Sequence, residues 1–244
     1  MKVSQQVTPK VVEAFLVRYK SLKSGLARHR SGKFKVEFAQ LRRRLTPVQR
    51  RVRERKRRKA NQFNIFRLLG VERDEVKTHS ALIADLLNPR GTHGQGAVFL
   101  EIFLALCAKK SNGFPKPPRG VASVRWDVYT EKRTRFGRPD IVVASPELKT
   151  LIVIENKIYA GDQDRQLHRY AEWMASLRTY AKGTRLLIYL TPEGRRPELT
   201  DEDRYCLFSY RDDITSWIQT ARAQVRAVRV RECLDQYLRT VKSL

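Results

Sequence analysis

Residues 151–158 (LIVIENKI) constrain this chain more than any other segment. Four consecutive apolar residues, three of them β-branched, read as a buried strand. The strand turns polar near its end, at Glu155-Asn156-Lys157. Residues two apart in a strand point to the same side, so Glu155 and Lys157 share the face of Leu151 and Val153. Burying opposite charges there costs free energy unless they are paired or bind something. A Glu-x-Lys pair by itself is most often a salt bridge or a solvated strand tip. Its meaning depends on what surrounds it.

The surroundings are strands before it and a strand–helix–strand unit after it. Residues 124–132 alternate, with Val124, Trp126, Val128 and Thr130 on one face. Residues 140–144 (DIVVA) form a second short strand, and Pro146-Glu147 is a turn. After 151–158, Asp162 suits a helix N-cap and Asp164 a first-turn acid. Leu167, Tyr170, Met174 and Leu177 make a helical stripe. Residues 186–190 (LLIYL) and 206–209 give a fourth and a fifth strand. Helices are expected at 75–87, 98–107, 211–221 and 224–241, and Pro115, Pro117 and Pro118 mark a surface connection. Three consecutive strands suggest a meander. The predicted fold is therefore α/β, a mixed central sheet of four to five strands flanked by helices.

Charge sets the partner class. Lys plus Arg number 50 and Asp plus Glu 25 in 244 residues, a net +25. A compact body with that excess suits a polyanion, either nucleic acid or an anionic membrane. No run of about 18 apolar residues can span a bilayer, and the N-terminus lacks a signal-peptide core. Nucleic acid, with DNA foremost, is the expected partner, and no membrane association is expected. Three scattered cysteines (Cys107, Cys206, Cys233) point to a reducing compartment, the cytoplasm. The four histidines make no zinc spacing with them.

The excess is concentrated. Residues 1–60 hold 20 Lys/Arg against three acids, a net +17. This stretch reads as a basic helical N-terminal arm, with 61–244 as the main domain. Thr8-Pro9 looks like a helix start, followed by Val12, Phe15, Tyr19 and Leu22 at helical spacing. Ser31-Gly32 breaks that pattern. Thr46-Pro47 repeats the start signal, with a long helix expected to end near Leu69-Gly70. Arg42, Arg43, Arg44, Arg50, Arg51, Arg53, Arg57 and Arg58 are the candidate phosphate contacts. The alternative is a solvated helix face.

Arg138-Pro139-Asp140 gives the Glu-x-Lys pair its context. Asp140 opens the neighbouring strand, where it can lie beside Glu155, and two carboxylates at adjacent strand ends with a lysine next to them would make a site for a hard divalent cation. Mg²⁺ is typically held by one or two carboxylates and keeps several waters. A bound cation lowers the pKa of a water and neutralises phosphate charge, and a lysine can stabilise developing charge. Phosphodiester hydrolysis needs these elements.

At this point the sequence resembles the PD-(D/E)XK nuclease superfamily, whose signature reads here as Pro139-Asp140, a gap, then Glu155-Asn156-Lys157. The run IENKIYAGDQDRQLHRY is similar to a subgroup with a Gln-Leu-x-x-Tyr helix after that strand. The upstream text EVKTHSALIADLLNPRGTHGQGAVFLEIFL resembles the same subgroup, so the likeness covers about residues 61–210. It implies a restriction-endonuclease-like core. It further implies that Asp140, Glu155 and Glu75 support a Mg²⁺ or Mn²⁺ ion, that Lys157 is the catalytic lysine, and that Gln166 orients water or substrate. Glu75 can equally be an exposed first-turn acid.

Four more residues are candidates for substrate contact. His79 lies four residues after Glu75 on the same helix face. His93, with Gly94 and Gly96, is either a loop whose amides approach a phosphate or a plain turn. Glu131, on the first strand opposite Trp126 and Val128, is a second acidic contributor or a partner for Lys132 and Arg133. Tyr170, four after Gln166, is a contact or simply core. The expectation is a metal-dependent nuclease, with a role in microbial defence or mobile-element biology. Two alternatives stand beside it: a binding protein with a vestigial nuclease fold, and a nuclease module targeted by a partner protein. A homodimer is also open.

Overall fold

The computed structural model describes residues 9–25, 32–60, 62–116, 120–161, 163, 165–198 and 204–244. Thr8, Ser31, Pro117, Pro118, Asp162 and Asp164, with the turn and capping roles expected of them, lie outside these residues. Contacts divide the chain into two units, Met1–Gln62 and Phe63–Leu244.

The first unit consists of α1 (Pro9–Gly25) and α2 (Gly32–Lys59). Every residue of it whose exposure is described is exposed or half-buried. Thr46-Pro47 does not start a helix, because α2 runs straight through Pro47. The Thr46 hydroxyl donates back to the Arg42 carbonyl, 2.8 Å away, instead of capping the amides that follow. Nor does this helix reach Leu69. It ends at Lys59, and Ala60 adopts a left-handed φ of 40°. A separate four-residue helix, α3 (Ile65–Leu68), follows, with the Asn64 side chain accepting from the amides of Phe66 and Arg67.

The second unit is built on one five-stranded sheet in the order β1-β2-β3-β4-β5. The strands are β1 (Asp127–Thr130), β2 (Ile141–Ser145), β3 (Thr150–Asn156), β4 (Thr184–Thr191) and β5 (Cys206–Ser209). β1, β2 and β3 form the antiparallel meander. β4 joins β3 in parallel through α6 (Gln166–Ser176), and β5 joins β4 in parallel. β1 is shorter than expected at its start. Trp126 lies outside it, buried, with its indole N–H donating to the Val121 carbonyl at 3.0 Å. β1 also ends before Glu131, which takes a φ of 49°.

Each face of the sheet has its own core, as the two strand parities require. Ile141, Val143, Ile152, Ile154, Ile188 and Leu190 belong to the larger one. It is completed by helices α4 (Ala81–Leu87), α5 (Val98–Lys110), α7 (Thr215–Gln224) and α8 (Val228–Val241). Val142, Leu151, Val153, Leu187 and Tyr189 face the other way, against Leu167, Tyr170, Trp173 and Met174 of α6. The helix expected at 75–87 begins as a π-type turn, Glu75–Ser80, before α4. The one expected at 211 likewise begins as a turn, Tyr210–Ile214, capped by the Ser209 hydroxyl.

Candidate active site

Register brings the site together. Ile141 lies opposite Ile154, so the next step outward sets Asp140 across from Glu155. Directly opposed residues in an antiparallel pair share a face. Asp140, Glu155 and Lys157 therefore stand on the α6 side of the sheet, with the parity of Val142, Leu151 and Val153. The Lys157 ammonium is 2.9 Å from Glu155 Oε1. The Asn156 amide donates to Asp140 Oδ2 at 2.7 Å, which ties the two strand ends together.

Asn156 has the opposite parity and faces the larger core. Its Nδ2 donates to the Glu75 carbonyl at 3.2 Å and to Ser80 Oγ at 3.0 Å, while its Oδ1 accepts from the Tyr210 hydroxyl at 2.9 Å. One side chain thus fixes the catalytic-side strand to two turns behind it. The motif gives no hint of this role, although parity alone sends Asn156 to that side.

The electrostatics are those of a charged site held away from water. Burial raises the Asp140 pKa to about 6, with Glu75 and Glu131 adding to the rise and the Asn156 amide and Lys157 opposing it. Burial, and next the Asp140 charge, raises Glu155 to about 8, against the pull of Lys157. Lys157 is itself raised: burial pulls it down, and the attraction of Glu155 and Asp140 more than offsets that. Glu155 is 1% exposed, and its Oε2 has no hydrogen-bond partner. A buried carboxylate oxygen in that state is destabilising unless something positive meets it.

A hard divalent cation fits this donor set. Two adjacent carboxylates supply oxygen ligands only, and one of those oxygens is unsatisfied. Glu75 has one oxygen engaged elsewhere: its Oε1 accepts from three successive amides, Ile158 at 2.7 Å, Tyr159 at 2.6 Å and Ala160 at 2.9 Å. Its charge still acts on both carboxylates. Among the described residues, no three His, Cys, Asp or Glu side chains gather as a metal cage. Asp140 and Glu155 are thus the two carboxylates best placed for an ion.

The other candidates divide. Gln166 opens α6, buried, with Nε2 donating to the Tyr170 hydroxyl at 3.2 Å. Tyr170 is 2% exposed and belongs to the α6-side core. Its pKa is raised by burial and then by Glu155. Its ring also fixes Gly137, whose φ is 132° and where an added Cβ would come within 3.1 Å of Tyr170 Cε1. Glu131 lies past the end of β1 rather than on it. Its partner is Arg138, and neither Lys132 nor Arg133. Lys132 sits instead 4.0 Å over the Tyr129 ring.

Neither of the two candidate histidines is available to a substrate. His79 is fully buried, with Nδ1 2.9 Å from the Tyr237 hydroxyl and Nε2 3.0 Å from the Glu72 carbonyl. Burial lowers its pKa, as for a neutral core imidazole. His93 bonds the Asn88 carbonyl through Nε2 and accepts from the Gln95 amide, so it staples its own loop. Arg42, Arg43, Arg44, Arg50, Arg51, Arg53, Arg57 and Arg58 are all exposed along α2.

A family model of the PD-(D/E)XK nuclease superfamily matches residues 63–239. No curated protein and no solved structure matches the chain. The matched span takes in the whole described sheet, the strand ends that pair Asp140 with Glu155, and the turn that holds them. On that match the chain belongs to the PD-(D/E)XK nuclease superfamily.

Proposed function

We propose that this protein is a metal-dependent nuclease that hydrolyses phosphodiester bonds of DNA with Mg²⁺ or Mn²⁺. The observation that carries this reading is Glu155 Oε2, buried without a partner beside Asp140 and next to a charged lysine. Asp140 and Glu155 would hold the ion. When bound, it would lower the pKa of a water and neutralise charge on the scissile phosphate. Lys157 keeps its proton, so it presents a fixed positive charge to oxygens that become more negative during cleavage. Gln166, anchored by Tyr170, can orient water or substrate from the first turn of α6. Glu75 organises the strand end by holding the loop that follows Lys157.

The arginines of α2 supply affinity. Arg43, Arg50 and Arg57 recur every seven residues, as do Arg44, Arg51 and Arg58, so they form a basic band along one side of the helix. A cytoplasmic location and a role in microbial defence or mobile-element biology complete the proposal. No helix of the described residues is long and apolar enough to cross a membrane. A decayed nuclease kept only for binding gives no reason to retain a buried, unpartnered carboxylate oxygen.

The test is cleavage of plasmid and oligonucleotide DNA with Mg²⁺ or Mn²⁺, and with chelator. Chelation should abolish cutting, and Asp140→Ala and Lys157→Ala should each lower the rate at least about 100-fold. Undiminished cleavage by both variants would overturn the assignment.

A further inference from the structure

The loop that follows Lys157 carries an exposed aromatic whose backbone and ring each meet a charged side chain. Tyr159 is 52% exposed. Its backbone is the middle of the three amides bound to Glu75 Oε1. The Arg73 guanidinium lies over its ring, 5.2 Å from the centroid. Arg73 and Glu75 flank Asp74, the cap of the Glu75–Ser80 turn, so one short stretch of chain meets both the backbone and the ring of Tyr159. The Glu75 contacts hold the backbone and would do so for any residue here, whereas the half-exposed ring under Arg73 buries little area for folding.

We infer that Tyr159 is a stacking platform for an unpaired base of the substrate, so that the protein acts on single strands or on single-stranded ends and gaps. The inference rests on the proposed nuclease reading and narrows its substrate. A tyrosine ring offers a π-face to any base, and an arginine beside it adds cation–π attraction and a positive charge for the backbone. A base inside a duplex is already stacked on both sides. It can reach Tyr159 only by leaving the helix and giving up that stacking. The position is two residues beyond Lys157, on the loop that leaves the candidate site.

The experiment is equilibrium binding of the full chain in chelator, at raised salt to weaken phosphate contacts made elsewhere. The probes are a short single-stranded oligonucleotide carrying 2-aminopurine and the duplex of the same sequence. Wild type and Tyr159→Phe should bind the single strand with quenched 2-aminopurine fluorescence. Tyr159→Leu keeps the apolar bulk without the ring. It should lose the quenching and weaken single-strand binding about 5- to 150-fold, one stacked base's worth. Duplex binding should stay unchanged. Single-strand binding by Tyr159→Leu equal to wild type overturns the platform, as does a wild type that prefers the duplex. Because no metal is present, the two readings fail separately. Tyr159-dependent binding without any metal-dependent cleavage keeps the platform and removes the nuclease. Cleavage with a neutral Tyr159→Leu does the reverse.

Discussion

Glu155 and Lys157 point to one side of β3 and Asn156 to the other, and that division of labour is half legible in the sequence. Strand parity fixes which residues share a face, so the meeting of Asp140, Glu155 and Lys157 follows from spacing once three strands are recognised. Long-range partners are not legible. His79 bonds a tyrosine 158 residues away, and nothing near His79 in the sequence announces it. A histidine on an apolar helix reads the same whether its nitrogens meet substrate or core. Asn156 is likewise hidden as the variable letter of a motif. Replacing it should show its weight. Asn156→Ala leaves the Ser80 and Tyr210 hydroxyls without their buried partner, so denaturant unfolding should show a loss of about 2 kcal/mol or more. A loss under about 0.5 kcal/mol would mean that this network is not what fixes the strand end.

At the scale of elements, order and type are readable and edges are not. The sheet follows from apolar, β-branched runs, and the parallel step at β4 from the intervening helix. Helix starts at 75 and 211 are blurred because both begin as π-type turns, whose side-chain caps resemble ordinary ones. Pro47 misleads for a local reason: proline suits a first turn, yet α2 accommodates it internally. The turn Glu75–Ser80 matters most for function, since it holds the loop after Lys157. Glu75→Ala should lower the stability of the metal-free protein by about 1–3 kcal/mol and speed hydrogen exchange at the amides of Tyr159 and Ala160. Were Glu75 purely a metal ligand, removing it would leave the metal-free protein's stability and exchange unchanged.

For the whole molecule, +17 of the +25 charge excess lies in residues 1–60, the stretch proposed as the basic arm. Every residue of that stretch whose exposure is described is exposed or half-buried, so deleting it should leave the stability of the remainder within about 0.5 kcal/mol of the full chain. The dependence of duplex binding on salt should flatten by about 0.9 in log–log slope for each phosphate the arm neutralises. A truncated protein with the full slope would show that the phosphates are met elsewhere. Everything proposed for the site turns on the ion. Metal ligation requires ionised carboxylates, and burial raises the Glu155 pKa to about 8, so a proton competes with the ion for it near neutral pH. Binding must then expel a proton, and affinity must rise as pH climbs through the Asp140 value of about 6 toward 8. Calorimetric titration of the full chain with Mn²⁺ at pH 7, in two buffers of different ionisation enthalpy, reads both quantities at once. Binding should release about one proton per ion, and Glu155→Gln should abolish both the binding and the release. Equal binding by wild type and Glu155→Gln, with no proton released, would refute the assignment of Glu155 as the ion's ligand.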